Sequence, residues 1–398
     1  MNSRLIGGIL LIVGTSIGGG MLALPIANAA TGFWQSTFFL ILCWAAMTAG
    51  AFLILEANLY LKNGGHMVSM ALLTLGKWGS AFTWLIYLIL LYTLLCAYIS
   101  GGSDVLNSLL KKMGYSLSDT YACLLFVIVF GAVVYSGIRQ VDWLNRGLMF
   151  GKLGAFFFLI ILISPYVDVS HFQGGDFHNI SGTIMILITS FGFAIIVPNL
   201  RDYFEDDIKK LKQAILIGSL IPLFCYIAWD AVIMGSIANE GPHSLQSLIK
   251  SAHSTSDLAQ QLSETIDNSL IQRLFHFFIS ISMLTAFLGV SLCLITFLAD
   301  GFKWQQKGLK GGVLFTLTYL PPLIIVLHYP GAYIDALNYA GIFCVLLLLL
   351  LPAIMCWSGR SRYHSEPLRY RVMGGQYLIA AVIIVSIILL TNSYVHLL

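Results

Sequence analysis

The chain has 398 residues, of which 58% are hydrophobic and 10% charged, with a mean hydropathy of +0.86 and a formal net charge of +3. A soluble domain carries about 25% charged residues, so this composition excludes a water-soluble globule and requires a protein that crosses the membrane many times. The small net charge, without a basic run, offers no footing for nucleic acid.

A spanning helix needs about 20 mainly apolar residues. Eleven segments meet this length, over about 5–31, 33–61, 80–106, 119–138, 146–166, 180–200, 213–238, 271–299, 311–328, 332–357 and 374–396. The opening "MNSRLIGGILLIVG" resembles a signal peptide, but no small-x-small cleavage site closes it, and it reads as a retained first helix. Polar connections such as "KNGGH", "RDYFEDDIKKLKQ" and "SGRSRYHSEPLRYR" separate the segments. The longest, 239–270, has Leu245, Leu248, Ile249, Leu258 and Leu262 at helical spacing, which predicts short helices on one mouth of the bundle. Seven cysteines fall inside apolar segments without metal-ligand spacing and read as small core residues, and no histidine cluster suggests a metal, since His66, His171, His178 and His243 lie in loops.

The distribution of Lys and Arg sets the orientation. With the N-terminus in the cytoplasm and eleven crossings, 17 basic residues fall on the cytoplasmic side and 4 on the other. That places the C-terminus outside.

The stretch "GTSIGGGMLALP", Gly14 to Pro25, matches both G-x-S-x-G and G-x-G-x-x-A. Each of those motifs needs a strand before it and a helix after it, a context absent from a membrane helix. An intramembrane serine protease using Ser16 would need a general base, and no span near it carries a histidine. Close helix packing through small residues is one reading of the run; a broken helix is the other. Segment six decides for the break. It carries a similar interruption, Thr189-Ser190-Phe191-Gly192-Phe193, followed by Pro198. Interruptions at corresponding places five helices apart point to two inverted repeats, segments 1–5 (about 5–166) and 6–10 (about 180–357), with segment 11 (about 374–396) added. The predicted fold is therefore an all-α membrane protein of eleven spans, 5+5 inverted plus one, in a single transport domain. A half-helix that starts after a break offers free N–H groups, and one that ends at a break offers free carbonyls. Gly19 and Gly20 leave room for a carboxylate at the N–H groups. Both ends together suit a zwitterion, hence an amino acid, with Thr15, Ser16, Ile17, Gly18, Gly19, Gly20, Ser190, Phe191, Gly192, Phe193 and Ala194 as candidate binding residues.

"GTSIGGGMLALP", "AYISGG", "TSFGF", "IGSLIPLFCYIAWDAVIMGSI" and "FLGVSLCLITFLAD" resemble the hydroxy and aromatic amino acid permeases of bacteria, closest to the tyrosine- and tryptophan-specific proton symporters. The resemblance runs across nearly the whole chain. It implies the inverted-repeat fold shared with the sodium-coupled leucine transporter, a place in the bacterial inner membrane, and a proton as the coupling ion with no cofactor or metal. It also implies that helix 3 flanks the pocket, which adds Tyr98 and Ser100 to the candidates. Lys152 matches a built-in cation of proton-coupled relatives, and its ammonium is expected to hold the carbonyls of Gly14 and Ile17 and the hydroxyl of Thr285. Where aromatic permeases carry a histidine after "SFGF", this chain has Ala194, which enlarges the pocket and opens the choice of substrate.

A charge inside a span is functional by default. Lys152, a turn or two into the fifth segment, either serves the break or snorkels to the interface. Asp230 is the rival proton carrier, read otherwise as a buried hydrogen bond to a hydroxyl or an outer-vestibule residue. Glu56 is expected near the cytoplasmic interface, and Asp104 and Asp335 at outer helix ends within reach of water. The expected function is proton-coupled import of a neutral, aromatic L-amino acid. Transport of small neutral or hydroxy amino acids, with protons or sodium, and a sensor that binds without transporting are the alternatives.

Overall fold

A computed structural model describes residues 3–62, 64–115, 117–238, 241, 244–362 and 369–397, so His243 lies outside the described residues. The chain is helical from α1 (Ser3–Ser16) and α2 (Gly19–Asn28) through α3 (Phe33–Leu59), α4 (Met67–Lys112), α5 (Asp119–Tyr135) and α6 (Ile138–Ile163). After short turns follow α7 (Ile184–Ser190), a 3-10 turn at Gly192–Ile196, α8 (Val197–Tyr203) and α9 (Ile208–Ser236). Then come α10 (Ser254–Thr265), α11 (Ser269–Phe302), α12 (Gly308–His328), α13 (Ala332–Cys344), a π-helical turn at Val345–Leu350, α14 (Leu351–Arg362) and α15 (Gly375–Leu397).

Among the described residues, nine helices are long and apolar enough to cross a membrane, and the pair α1–α2, bent by 52° at its break, makes ten. The fourth expected span, α5, is apolar but ends at Tyr135 with 17 residues. The expected short helices of the 239–270 loop are present as a 3-10 turn at Leu245–Lys250 and as α10.

Two expected boundaries are corrected. The third helix begins at Met67 rather than near residue 80, turning at Gly76, whose φ of 81° only glycine adopts without strain. The fifth begins at Ile138 rather than 146. Before α6 a polar helical stretch, "IRQVDWLNRG", precedes the apolar one, so hydropathy alone starts the helix late; in α4 the early stretch is itself apolar, and the turn at Gly76 beside Lys77 reads as a break. One cysteine departs from the core reading: Cys293 is exposed.

The core is assembled around α4, which packs on α11 and α13, while α11 also packs on α6; α1 lies along α9, and α2 against α7. At the end where α1 starts, Arg4 pairs with Glu205 at 2.7 Å. There Glu56 is fully buried, accepting two bonds of 2.7 Å from Arg360 and one of 2.7 Å from the Val372 N–H. At the opposite end α10 lies on Asp104. That carboxylate was expected in water, but its side chain is only 9% exposed because α10 covers it.

Candidate functional site

Both expected breaks are present. The helix α1 ends at Ser16, Gly18 is extended (φ −153°, ψ −152°), and α2 restarts at Gly19 with no side-chain cap on its first N–H groups. The helix α7 ends at Ser190 and gives way to the 3-10 turn from Gly192. These interruptions follow from sequence: Gly18, Gly19 and Gly20 carry the highest backbone entropy cost of any residue in a helix, Pro198 sits in the first turn of α8, and Pro25, inside α2, has no N–H to donate.

The breaks meet at the centre of the bundle. A Cβ on Gly20 would lie 3.4 Å from Ser190 Oγ, and one on Gly19 only 2.6 Å from the Tyr98 ring. The glycines are therefore what lets the second half-helix approach α7 and α4. Tyr226 on α9 joins the two ends: its hydroxyl lies 2.7 Å from the Ser16 carbonyl and 2.7 Å from the Ser190 carbonyl. A phenol has one proton, so it can donate to one of these carbonyls at a time. The Phe191 ring stands edge-on to Tyr226 at 5.1 Å. On the other side, the Tyr333 hydroxyl donates to the Gly19 carbonyl at 2.5 Å. Tyr98, Phe191, Phe193 and Ala194 are buried, whereas Gly18 and Gly192 remain half-exposed and a Cβ on either would meet nothing nearer than 3.9 Å. Each break thus keeps a glycine beside open space.

Lys152 does not snorkel. The early start of α6 puts it about four turns inside the helix, and it is 1% exposed. Its Nζ donates to the Ile17 carbonyl at 2.5 Å and to Thr285 Oγ1 at 3.3 Å. Gly14 is not part of this set: it lies within α1, and a Cβ there would run into Met149.

Other expected residues lie apart. Thr15 is exposed and turns its hydroxyl back to Leu11 and Ile12 of its own helix. Ser100 lines a separate cavity under α10. Ala194, by contrast, stays with the second break, on its 3-10 turn, which packs against α1 and α3. Asp230 is buried, and its partner is an amide rather than a hydroxyl: Asn28 Nδ2 donates to Oδ2 at 2.7 Å, tying the end of α2 to α9. Among the described residues no group of His, Cys, Asp or Glu is arranged for a metal.

Tyr226, Tyr333 and Asn28 escape the sequence reading. Tyrosine is common in apolar helices, and the partners of these two tyrosines are backbone carbonyls, which carry no residue signature.

The tryptophan/tyrosine permease family matches residues 1–393. The "Tyrosine-specific transport system 2" of Haemophilus influenzae is 31% identical over 98% of this chain and 96% of its own. A "Tryptophan-specific transport protein" of Pseudomonas aeruginosa is 30% identical over 99% of this chain and 94% of its own. The "Glutamine transporter 2" of Aliivibrio fischeri is 29% identical over 99% of this chain and 100% of its own. The chain belongs to the tryptophan/tyrosine permease family.

Proposed function

We propose that this protein is a secondary active transporter that imports a neutral, aromatic L-amino acid together with a proton by alternating access. The observation that carries the reading is the meeting of two helix breaks at one buried point. There, the uncapped start of α2 offers N–H groups to a carboxylate, and the ends of α1 and α7 offer carbonyls to an ammonium. Tyr98, Phe191 and Phe193 supply an apolar, aromatic lining for a ring. The family and the names of its tyrosine and tryptophan transport members support the same substrate class.

The proton is assigned to Lys152. An ammonium between a carbonyl of the first break and a hydroxyl of α11 fills, by charge and volume, the oxygen cage a sodium ion would need. Losing its proton would free the Ile17 carbonyl and let α1 move relative to α6 and α11. We further propose the 5+5 inverted repeat with α15 as an eleventh span, α5 counted as the fourth. The bias of basic residues supports an N-terminus in the cytoplasm and a C-terminus outside the inner membrane.

The glutamine transporter among the relatives favours a second reading, a polar neutral substrate, because Ala194 leaves the pocket without an imidazole. Counterflow of labelled tyrosine, tryptophan and glutamine in proteoliposomes separates the readings. Exchange of an aromatic amino acid that unlabelled aromatics inhibit supports the first. Exchange of glutamine alone moves the substrate class. Binding without exchange leaves a sensor.

A further inference from the structure

At the end of the molecule opposite the start of α1, one carboxylate gathers an unusual number of donors. Asp104, near the end of α4, accepts from Thr255 Oγ1 at 2.5 Å, from the Ser256 N–H at 2.8 Å and from Ser256 Oγ at 2.7 Å. These donors are the first turn of α10, so a side chain from another helix caps α10 and meets the positive end of its dipole. His253, just before that turn, approaches Asp104 Oδ1 with Nδ1 at 3.1 Å. Its second nitrogen, Nε2, lies 3.7 Å from Oδ2 of Asp119, at the start of α5. The imidazole is held between carboxylates of two spans. Beneath it, a cavity of about 60 Å³ is lined by Asp104, Asp119, His253, Cys123 and Ser100, and Ser100 is two residues from Tyr98 of the break cluster.

A neutral imidazole donates through one nitrogen and an imidazolium through both. We propose that His253 is a proton site that fastens α10 over α4 and α5, closing this mouth when protonated and loosening it when neutral. Three charged groups act on the ring: Asp104 from α4, Asp119 from α5 and Asp257 from α10 itself. Asp257 is also bound by Ser251 Oγ. On α11, which α10 also packs against, His276 is engaged with Lys112, and on α9 Asp230 is bonded to Asn28. The hydrogen bond to Asp104 holds the His253 pKa above its usual value of 6.5, against the effect of partial burial. A raised pKa in the fastened state means that the added stability is full at low pH and is lost as pH rises through that value. As a gate, this inference rests on the transport reading, which puts this face outside, where the proton comes from. The fastening itself does not depend on substrate.

The test is hydrogen–deuterium exchange of α10 amides in the full chain in lipid nanodiscs, without amino acid, corrected for the intrinsic pH dependence of exchange. Wild type should lose about tenfold of its protection between about pH 5.5 and 8. His253→Gln keeps one donor and removes the charge, so its protection should be low and flat with pH. Asp119→Asn should leave the Asp104 cap in place and move the transition to lower pH. Equal pH dependence in wild type and His253→Gln, or protection that rises with pH in wild type, would overturn the proposal. Because no transport is measured, a protein that fails in counterflow can still pass here, and the reverse.

Discussion

The two breaks are alike in backbone and unlike in what serves them. At the first, an extended glycine parts two helices bent by 52°, and a buried ammonium holds the free Ile17 carbonyl. At the second, the helix tightens into a 3-10 turn, and what surrounds it is aromatic or small: Phe191, Phe193, Ala194 and the Tyr226 ring. The Tyr226 hydroxyl touches both. The difference separates two tasks that one sequence pattern, polar residues and glycine before proline, disguises as the same. In the proposed mechanism the first break, which holds the charge, responds to a proton, and the second, through its shape, chooses a side chain.

Substitutions at the second break should alter binding and leave the driving ion alone. Ala194→Trp should have the largest effect. Ala194 has no exposed surface, and overpacking a filled site costs about 1–3 kcal/mol in strain. Binding of the aromatic substrate should fall below detection by isothermal titration while the protein still elutes as a folded species. Normal affinity in this variant would place Ala194 outside the site and remove the second break from substrate choice.

Tyr226→Phe, at the point the breaks share, should rank next. It removes the single proton that two buried carbonyls share, and an unsatisfied buried group costs about 1–3 kcal/mol. The KM for uptake should rise about tenfold with kcat less affected. A fall in kcat alone would mean that the hydroxyl serves the motion rather than the ligand. Ala194→His should be milder, shifting the ranking of tyrosine, tryptophan and glutamine as competitors without abolishing transport. An unchanged ranking would show that the missing imidazole is irrelevant to selectivity.

Asp230→Asn should have the smallest effect. Its only hydrogen-bond partner among the described residues is Asn28, and a neutral amide can keep that bond. Proton-driven accumulation should stay within about twofold of wild type, because that bond is retained. Loss of accumulation in this variant would move the proton carrier from the first break to α9.

The contrast between the breaks was half legible in the sequence. Glycine and proline in an apolar run announce a discontinuity because their backbone preferences hold in any solvent, and Lys152 is conspicuous because a charge among apolar residues is costly. Tyr226 was not legible: it serves carbonyls 36 and 210 residues away, and any residue type supplies a carbonyl. The start of α6 is hidden for another reason. "IRQVDWLNRG" is polar enough to read as a loop, yet α6 runs through it, so the true depth of Lys152 was underestimated. Asp104 was misplaced in water because the sequence gives no sign that α10 folds back over it.

In the proposed mechanism the charge of Lys152 at the first break couples a proton to transport. Its most direct test is uptake into proteoliposomes with an imposed inward proton gradient, with and without sodium, for wild type and Lys152→Ala, alongside counterflow in both. Wild type should concentrate the aromatic amino acid with no need for sodium, and Lys152→Ala should exchange label but fail to concentrate it. Uptake by wild type that requires sodium, or a Lys152→Ala protein that still concentrates substrate against its gradient, would remove Lys152 as the coupling group.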